Sequence, residues 1–258
     1  MIPIKTEREL AVMRQAGVIA QTVLEEVCAF VQPGRTTREI DDYAAARMRV
    51  HGVRSAFLGY KKFPSHLCLS VNEQVVHGIA GERKLHFGDI LSIDCGVVHD
   101  GFIGDTARTV AVGGCSLEAQ RLMDVTEQAL YEGIAQARAG HHVGDISRAV
   151  QRYVEGHGYS VVREFVGHGV GRSMHEEPQV PNFDDGRKSP ALRPGMTIAI
   201  EPMVNAGAPE VKVLNDRWTV VTKDGSLSAH FEHTVLITTG DAEILTCRAK
   251  TPSVSTVL

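Results

Sequence analysis

Five side chains spread along 258 residues have the chemistry to hold metal: Asp94, Asp105, His168, Glu201 and Glu232. Four are carboxylates and one is an imidazole, a set that suits divalent Mn, Fe, Co or Zn. Four acids brought together at neutral pH repel one another unless cations offset the charge. Convergence of the five in space would therefore imply bound metal, and so many acids point to two ions. Asp94 interrupts the apolar run Ile90-Leu91-Ser92-Ile93, where a buried acid is costly without compensation. With Asp100-Gly101 as a hairpin turn, residue 94 pairs with about residue 107. Asp105 then becomes a diagonal neighbour of Asp94, roughly 7–8 Å away. The plain alternative for this pair is one Asp at the hairpin surface and the other facing solvent.

His168 sits in Gly167-His168-Gly169-Val170-Gly171, where glycines let the backbone approach closely and adopt positive φ, which suits a ligand on a tight turn. A lone His is more often structural than a ligand, but this one is followed by His175-Glu176-Glu177-Pro178. Glu201 closes the apolar run Thr197-Ile198-Ala199-Ile200 ahead of Pro202. Glu232 stands at the mouth of another apolar run, Thr234-Val235-Leu236. Singly, each glutamate reads as well as a strand-end acid facing water.

The elements that must position these groups are legible from periodicity. Thr6-x-x-Glu9 is a capping box, followed by Leu10, Met13, Gly17, Ala20, Leu24, Val27 and Val31 as one helical stripe that ends at Pro33-Gly34. Thr36-x-x-Glu39 opens a second helix toward His51-Gly52, and further helices are predicted from Ser116 to Arg138 and from Gly144 to His157. Strands are predicted over Leu67–Val76, Ile90–Val98, Phe102–Val112, Met196–Met203, Val211–Thr222 and Phe231–Thr238. The segment 249–258 lacks a pattern and is expected to be a loose tail.

An internal repeat runs through this order. Gly34, Ile40, His51 and Gly52 recur 106 positions later as Gly140, Ile146, His157 and Gly158. Leu85, Gly88 and Asp94 recur 107 positions later as Leu192, Gly195 and Glu201. Two such halves facing one another would set Asp94 and Glu201 at related positions around a single cleft.

Composition excludes several classes. A formal charge of −4 provides no basic field for gripping phosphate backbones, so strong nucleic-acid binding is not expected. No run approaches the roughly 18 apolar residues of a membrane span. Cys28, Cys68, Cys95, Cys115 and Cys247 are odd in number and scattered, as expected of free thiols in the cytoplasm. No Cys–His pair or Gly-x-Ser-x-Gly elbow suggests a side-chain nucleophile.

The order Asp, Asp, His, Glu, Glu, with eleven positions between the aspartates, resembles the type I methionine aminopeptidases in their compact bacterial form. Gly167-His168-Gly169, His175-Glu-x-Pro, Asn72-Glu73 and His77-Gly78 follow the same pattern, and the resemblance runs from about Thr6 to Leu245. It implies an α+β fold of the pita-bread type: a curved antiparallel sheet with outer helices and a pseudo-two-fold internal repeat. On this reading residues 1–248 form one catalytic domain with halves at about 30–112 and 138–238. The resemblance further implies two metal ions, one bound by Asp94, the other by His168 and Glu201, with Asp105 and Glu232 bridging. It makes Glu201 the proton carrier and places His77 and His175 beside the substrate, stabilising the tetrahedral intermediate. Tyr60, Phe63, Cys68, Met174 and Trp218 would wall the methionine pocket. Phe57, Phe63 and Met174 depart from the bacterial pattern of Cys, Tyr and Phe, which bears on fine specificity. The implied activity is removal of N-terminal methionine from nascent chains when the second residue is small, by a cytoplasmic monomer in transient contact with the ribosome. The competing readings are an Xaa-Pro peptidase of the same fold, a non-catalytic peptide-binding relative, and a metal-dependent hydrolase of another substrate.

Overall fold

Thr6 and Thr36 open the first two helices in the same manner. Each hydroxyl accepts an N–H three residues on, while Glu9 or Glu39 reaches back to the threonine N–H, so first-turn donors are satisfied reciprocally. In this computed structural model, which describes residues 2–247, helix α1 spans Glu7–Phe30 and α2 spans Thr37–Val50. Val31 is the extended cap of α1 and not the end of its stripe, since the chain must leave the helix before Pro33. Ser116 caps α3, Leu117–Ile134, and α4 follows at Val143–Gly156. Helix α3 stops short of Arg138 because from Gln136 onward the N–H groups bond back three residues or fewer. The tail expected at 249–258 lies outside the described residues.

The main sheet is antiparallel throughout. Across it lie Arg54–Ser55, Ile90–His99, Phe102–Ala111, Glu232–Leu236, Thr197–Ile200, Gly167–Gly169 and Glu176–Val180. Cys68–Val71 also pairs with Ile90–His99, and Glu243–Ile244 with Glu232–Leu236. Two small sheets complete the fold: Ser228–His230 with Met203–Asn205 and Ser160–Val161, and Val211–Val213 with Val220–Thr222 and Gln74–Val76. The architecture is the α+β pita-bread arrangement of helices on antiparallel sheet.

Helix α1 packs closely on the central hairpin. A Cβ at Gly104 would lie 2.4 Å from the Ala16 carbonyl oxygen, so only glycine lets helix and strand meet. Strand alternation then turns the next residue, Asp105, to the opposite face.

Three predicted strands are broken in the fold. Leu67–Val76 divides at Asn72, whose φ of 55° turns the chain, so Cys68–Val71 and Gln74–Val76 join different sheets. Met196–Met203 divides at Glu201-Pro202, because proline cannot continue the ladder. Val211–Thr222 is a hairpin of two three-residue strands. Gly167-His168-Gly169 was expected as a turn and is a strand with a register shift after His168. Its glycines serve close approach and not positive φ. A Cβ at Gly167 would fall 2.4 Å from the Ala199 oxygen, and one at Gly169 2.2 Å from the Glu177 oxygen.

Candidate metal centre and substrate cleft

Register alone assembles most of the acids. Asp94 pairs with Ala107, as the Asp100-Gly101 hairpin predicts, and Gly96 pairs with Asp105. On its other side Ala107 pairs with Glu232, so Asp94 and Glu232 flank the same position with Asp105 diagonal to both. His233 pairs with Ile200, which brings Glu201, one residue beyond, beside Glu232. Thr234 fixes the Asp105 backbone from the neighbouring strand, its hydroxyl donating to the Asp105 carbonyl at 2.8 Å.

His168 faces this floor. Its Nδ1 lies 2.9 Å from the Gly169 carbonyl oxygen, which can only accept, so Nδ1 carries the proton. The lone pair of Nε2 is left aimed at Glu201 Oε1, 3.5 Å away, and Asp105 Oδ2, 3.8 Å away. A lone pair facing two acids is repulsive unless a cation or proton lies between them. Burial pushes the His168 imidazolium pKa down to about 4, so protonation of this ring is disfavoured.

The carboxyl groups show the same demand. Asp94, Asp105, Glu201 and Glu232 all have pKa values raised by burial, and the neighbouring carboxylates add to the rise for Asp94, Glu201 and Glu232. Among the described residues, Asp94 Oδ1, Asp105 Oδ1 and Glu232 Oε1 are buried without a hydrogen-bond donor. Candidate ligand atoms of Asp105, His168 and Glu232 all lie within 4.8 Å of one another. Oxygen-rich donors, one imidazole with the correct tautomer and orphaned buried oxygens together fit divalent metal.

Above the floor opens a cleft of about 190 Å³, lined by the twelve residues given ligand, catalytic or pocket-wall roles in the sequence and by Phe57. Phe63 meets Trp218 edge to face at 5.0 Å, and His77 stands edge-on to Phe165 at 5.5 Å and to Trp218 at 6.1 Å. His77 holds φ at 59°, a strained conformation for a non-glycine residue, and burial lowers its pKa to about 4. His175 lies at the exposed rim with Nδ1 2.9 Å from the Tyr60 hydroxyl, and its ring is 4.3 Å from that of His168. Cys68 and Met174 are buried in the wall, and Cys68 is kept protonated by burial and by Asp94.

The metallopeptidase family M24 model matches residues 11–239. Methionine aminopeptidase 1 of Bacillus subtilis is 49% identical over 246 residues, covering 95% of this chain and 99% of its own. The chain belongs to the methionine aminopeptidases of metallopeptidase family M24. The crystal structure of a methionine aminopeptidase from Rickettsia prowazekii superposes with a TM-score of 0.94 at 41% identity, over 96% of this chain and all of that one. A prolidase from Pyrococcus furiosus, at 23% identity and a TM-score of 0.78, covers 96% of this chain and 66% of its own and shares the fold. Use of divalent metal follows from membership in this metallopeptidase family and from the donor cluster. No helix among the described residues is long and apolar enough to cross a membrane.

Sequence reasoning missed His230 and Phe165, which also line the cleft. His230 Nε2 is buried, without a hydrogen-bond partner, and 3.7 Å from Glu201 Oε2. The signal was present: His230 precedes Glu232 by two residues, the spacing that sets strand neighbours on one face. For Phe165 no local pattern existed, since its approach to His77 depends on two distant segments.

Proposed function

We propose that this protein is a metalloaminopeptidase that releases N-terminal methionine when the second residue is small, using two divalent ions. Asp94, Asp105, His168, Glu201 and Glu232 are the residues that would hold them, Asp105 and Glu232 standing on the two adjacent strands between those of Asp94 and Glu201. The observation that carries this reading is the tautomer of His168, whose lone pair is directed into a floor of buried acids beneath an apolar pocket. Bound divalent metal supplies Lewis acidity toward a carbonyl oxygen and lowers the pKa of a water toward neutrality.

The side chains supply the remainder. Glu201, flanked by His168 and His230, accepts a proton from the attacking water and passes it to the leaving amine. His77, neutral at pH 7, donates to the oxygen on which negative charge develops. His175, oriented by Tyr60, contacts the substrate at the rim. Phe63, Met174, Trp218 and Cys68 form an apolar wall suited to an unbranched thioether. Phe57 also lines the cleft, packed so closely on Gly96 that a Cβ there would lie 2.6 Å from its ring.

The remaining expectations belong to the same proposal. Residues 1–248 act as one catalytic domain with halves at about 30–112 and 138–238. The protein works as a cytoplasmic monomer on nascent chains, in transient contact with the ribosome. Free Cys28, Cys68, Cys95, Cys115 and Cys247 support a reducing compartment. The test is hydrolysis of Met-Ala-Ser and Lys-Ala-Ser by metal-stripped protein resupplied with Mn, Fe, Co or Zn. Metal-dependent release of Met with little Lys supports the reading and ranks the ions. No release with any ion overturns it.

A further inference from the structure

The loop between the strands Gly167–Gly169 and Glu176–Val180 carries two cleft residues, Met174 and His175, and it is short of regular hydrogen bonds. What holds it is Glu176. Its Oε1 accepts the backbone N–H of Arg172 at 3.0 Å and of Ser173 at 3.3 Å. Its Oε2 accepts from Lys5 Nζ at 2.6 Å, and both charged side chains are largely withdrawn from water, 6% and 13% exposed. The pair lies across Gly171, where a Cβ would sit 2.6 Å from both Glu176 Oε1 and Lys5 Cε. Lys5 is itself anchored, its N–H donating to the Gly195 carbonyl at 2.8 Å, and the Gly195 N–H in turn donates to the carbonyl of Ile237, the residue after the main-sheet strand Glu232–Leu236. Other ties run from Ile103 N–H to the Gly171 carbonyl, from Val170 N–H to the Thr197 carbonyl, between His175 Nδ1 and the Tyr60 hydroxyl, and from Arg172 to Glu9 at 3.6 Å.

We infer that Lys5 and Glu176 are positioning residues for the cleft: through a buried ion pair, the amino-terminal segment sets the placement of Met174 and His175 against the substrate. This rests on the aminopeptidase reading above. Neither side chain lines the cleft, so both act through the loop that carries Met174 and His175. The physical reason for a charged clamp is geometric. A carboxylate can accept from two backbone N–H groups and an ammonium at once, and a loop so tied cannot rotate without stranding a buried charge.

The test compares the wild type with Lys5→Met, Glu176→Gln and the double variant, each loaded with Mn. Arg14→Gln, which breaks an ion pair to Glu243 away from the cleft, serves as control. Metal content and Tm are measured alongside kcat and KM for Met-Ala-Ser and for norleucine-Ala-Ser. Lys5→Met should lower kcat for Met-Ala-Ser about 10- to 100-fold at wild-type metal content, the scale of a side chain misplaced by about 1 Å. The ratio of kcat/KM for the two substrates should fall as Met174 shifts, and this ratio does not depend on how much enzyme is folded. The double variant should recover part of the loss, because removing both charges is less costly than stranding one. An unchanged substrate ratio, or a loss that only tracks Tm and metal content, overturns the clamp. Absence of Met release by the wild type would overturn the parent reading instead, so the two failures are distinguishable.

Discussion

Gly34 and Gly140 each lead into a helix with φ near +89° and +88°, and their N–H groups donate to the carbonyls of Leu85 and Leu192. Those leucines return the bond, to the carbonyls of Arg35 and His141, and both are 1% exposed. Ile40 and Ile146 are fully buried, His51 and His157 cap the helices, and Gly52 and Gly158 follow with positive φ. Gly88 and Gly195 then open the acid-bearing strands at φ +99° and +86°. Beyond that point the two regions part. After Gly88 the strand runs over Ile90–His99, past Asp94 into a hairpin, and a second acid, Asp105, comes from the return strand. After Gly195 the strand stops at Glu201-Pro202, and the chain crosses to a different small sheet. The comparison teaches that repeated backbone builds the frame, while the termination of each acid-bearing strand determines the chemistry. One region offers two short acids on a rigid hairpin. The other offers a longer acid at a strand end, free to reach between two histidines.

Replacing the central acids breaks the comparison most severely. Asp105→Ala and Glu232→Ala, one from each side of the cleft, should each cost at least about 1000-fold in kcat/KM and lower bound metal, read by elemental analysis. Activity retained at full metal content would contradict the shared role. His77→Ala and His175→Ala should spare the metal and lower kcat, by about 100-fold for His77 as an oxyanion donor. Equal loss of metal and activity in either variant would make that histidine structural.

Stability against pH sharpens the contrast between bare acids and occupied ones. Asp94, Asp105, Glu201 and Glu232 have folded pKa values raised above their unfolded range of roughly 4. Groups shifted in that direction contribute stability below the unfolded pKa and lose it as pH rises through the folded value, about 7 for Asp105. Chelator-treated protein should therefore melt at a lower temperature at pH 8 than at pH 5. Saturating metal at about 100 times Kd should restore about 2.7 kcal/mol at pH 8. A chelated protein more stable at pH 8 would refute the crowded-acid account.

The smallest effect tests the frame itself. Gly34 and Gly140 have open space where a Cβ would go, so alanine at either meets only the left-handed backbone penalty. Gly34→Ala and Gly140→Ala should each destabilise by about 1 kcal/mol, to nearly the same extent. Markedly unequal losses in denaturant titrations would show that the two turns are not equivalent.

Much of this was legible from local sequence. The capping boxes at Thr6 and Thr36, the Asp100-Gly101 turn and the Asp94–Ala107 register need only neighbours within a few residues, and the hairpin matched its expected pairing. The repeat was visible because its left-handed turns favour glycine, at Gly34, Gly52 and Gly88 and again at Gly140, Gly158 and Gly195. The break at Asn72 was harder to read, and although Pro202 marked the stop after Glu201, the sheets that Gln74–Val76 and Met203–Asn205 join are set by distant chain.

By itself the sequence determined the helix caps, the hairpin register and the repeated turns, because each rests on backbone sterics acting over short range, and it supplied the acids proposed here as metal ligands. Tertiary structure alone decided that Gly167 and Gly169 answer close packing against carbonyl oxygens, that Phe165 stands edge-on to His77, and that Lys5 reaches Glu176. Those outcomes depend on which distant segments share one small volume, and no local period records that.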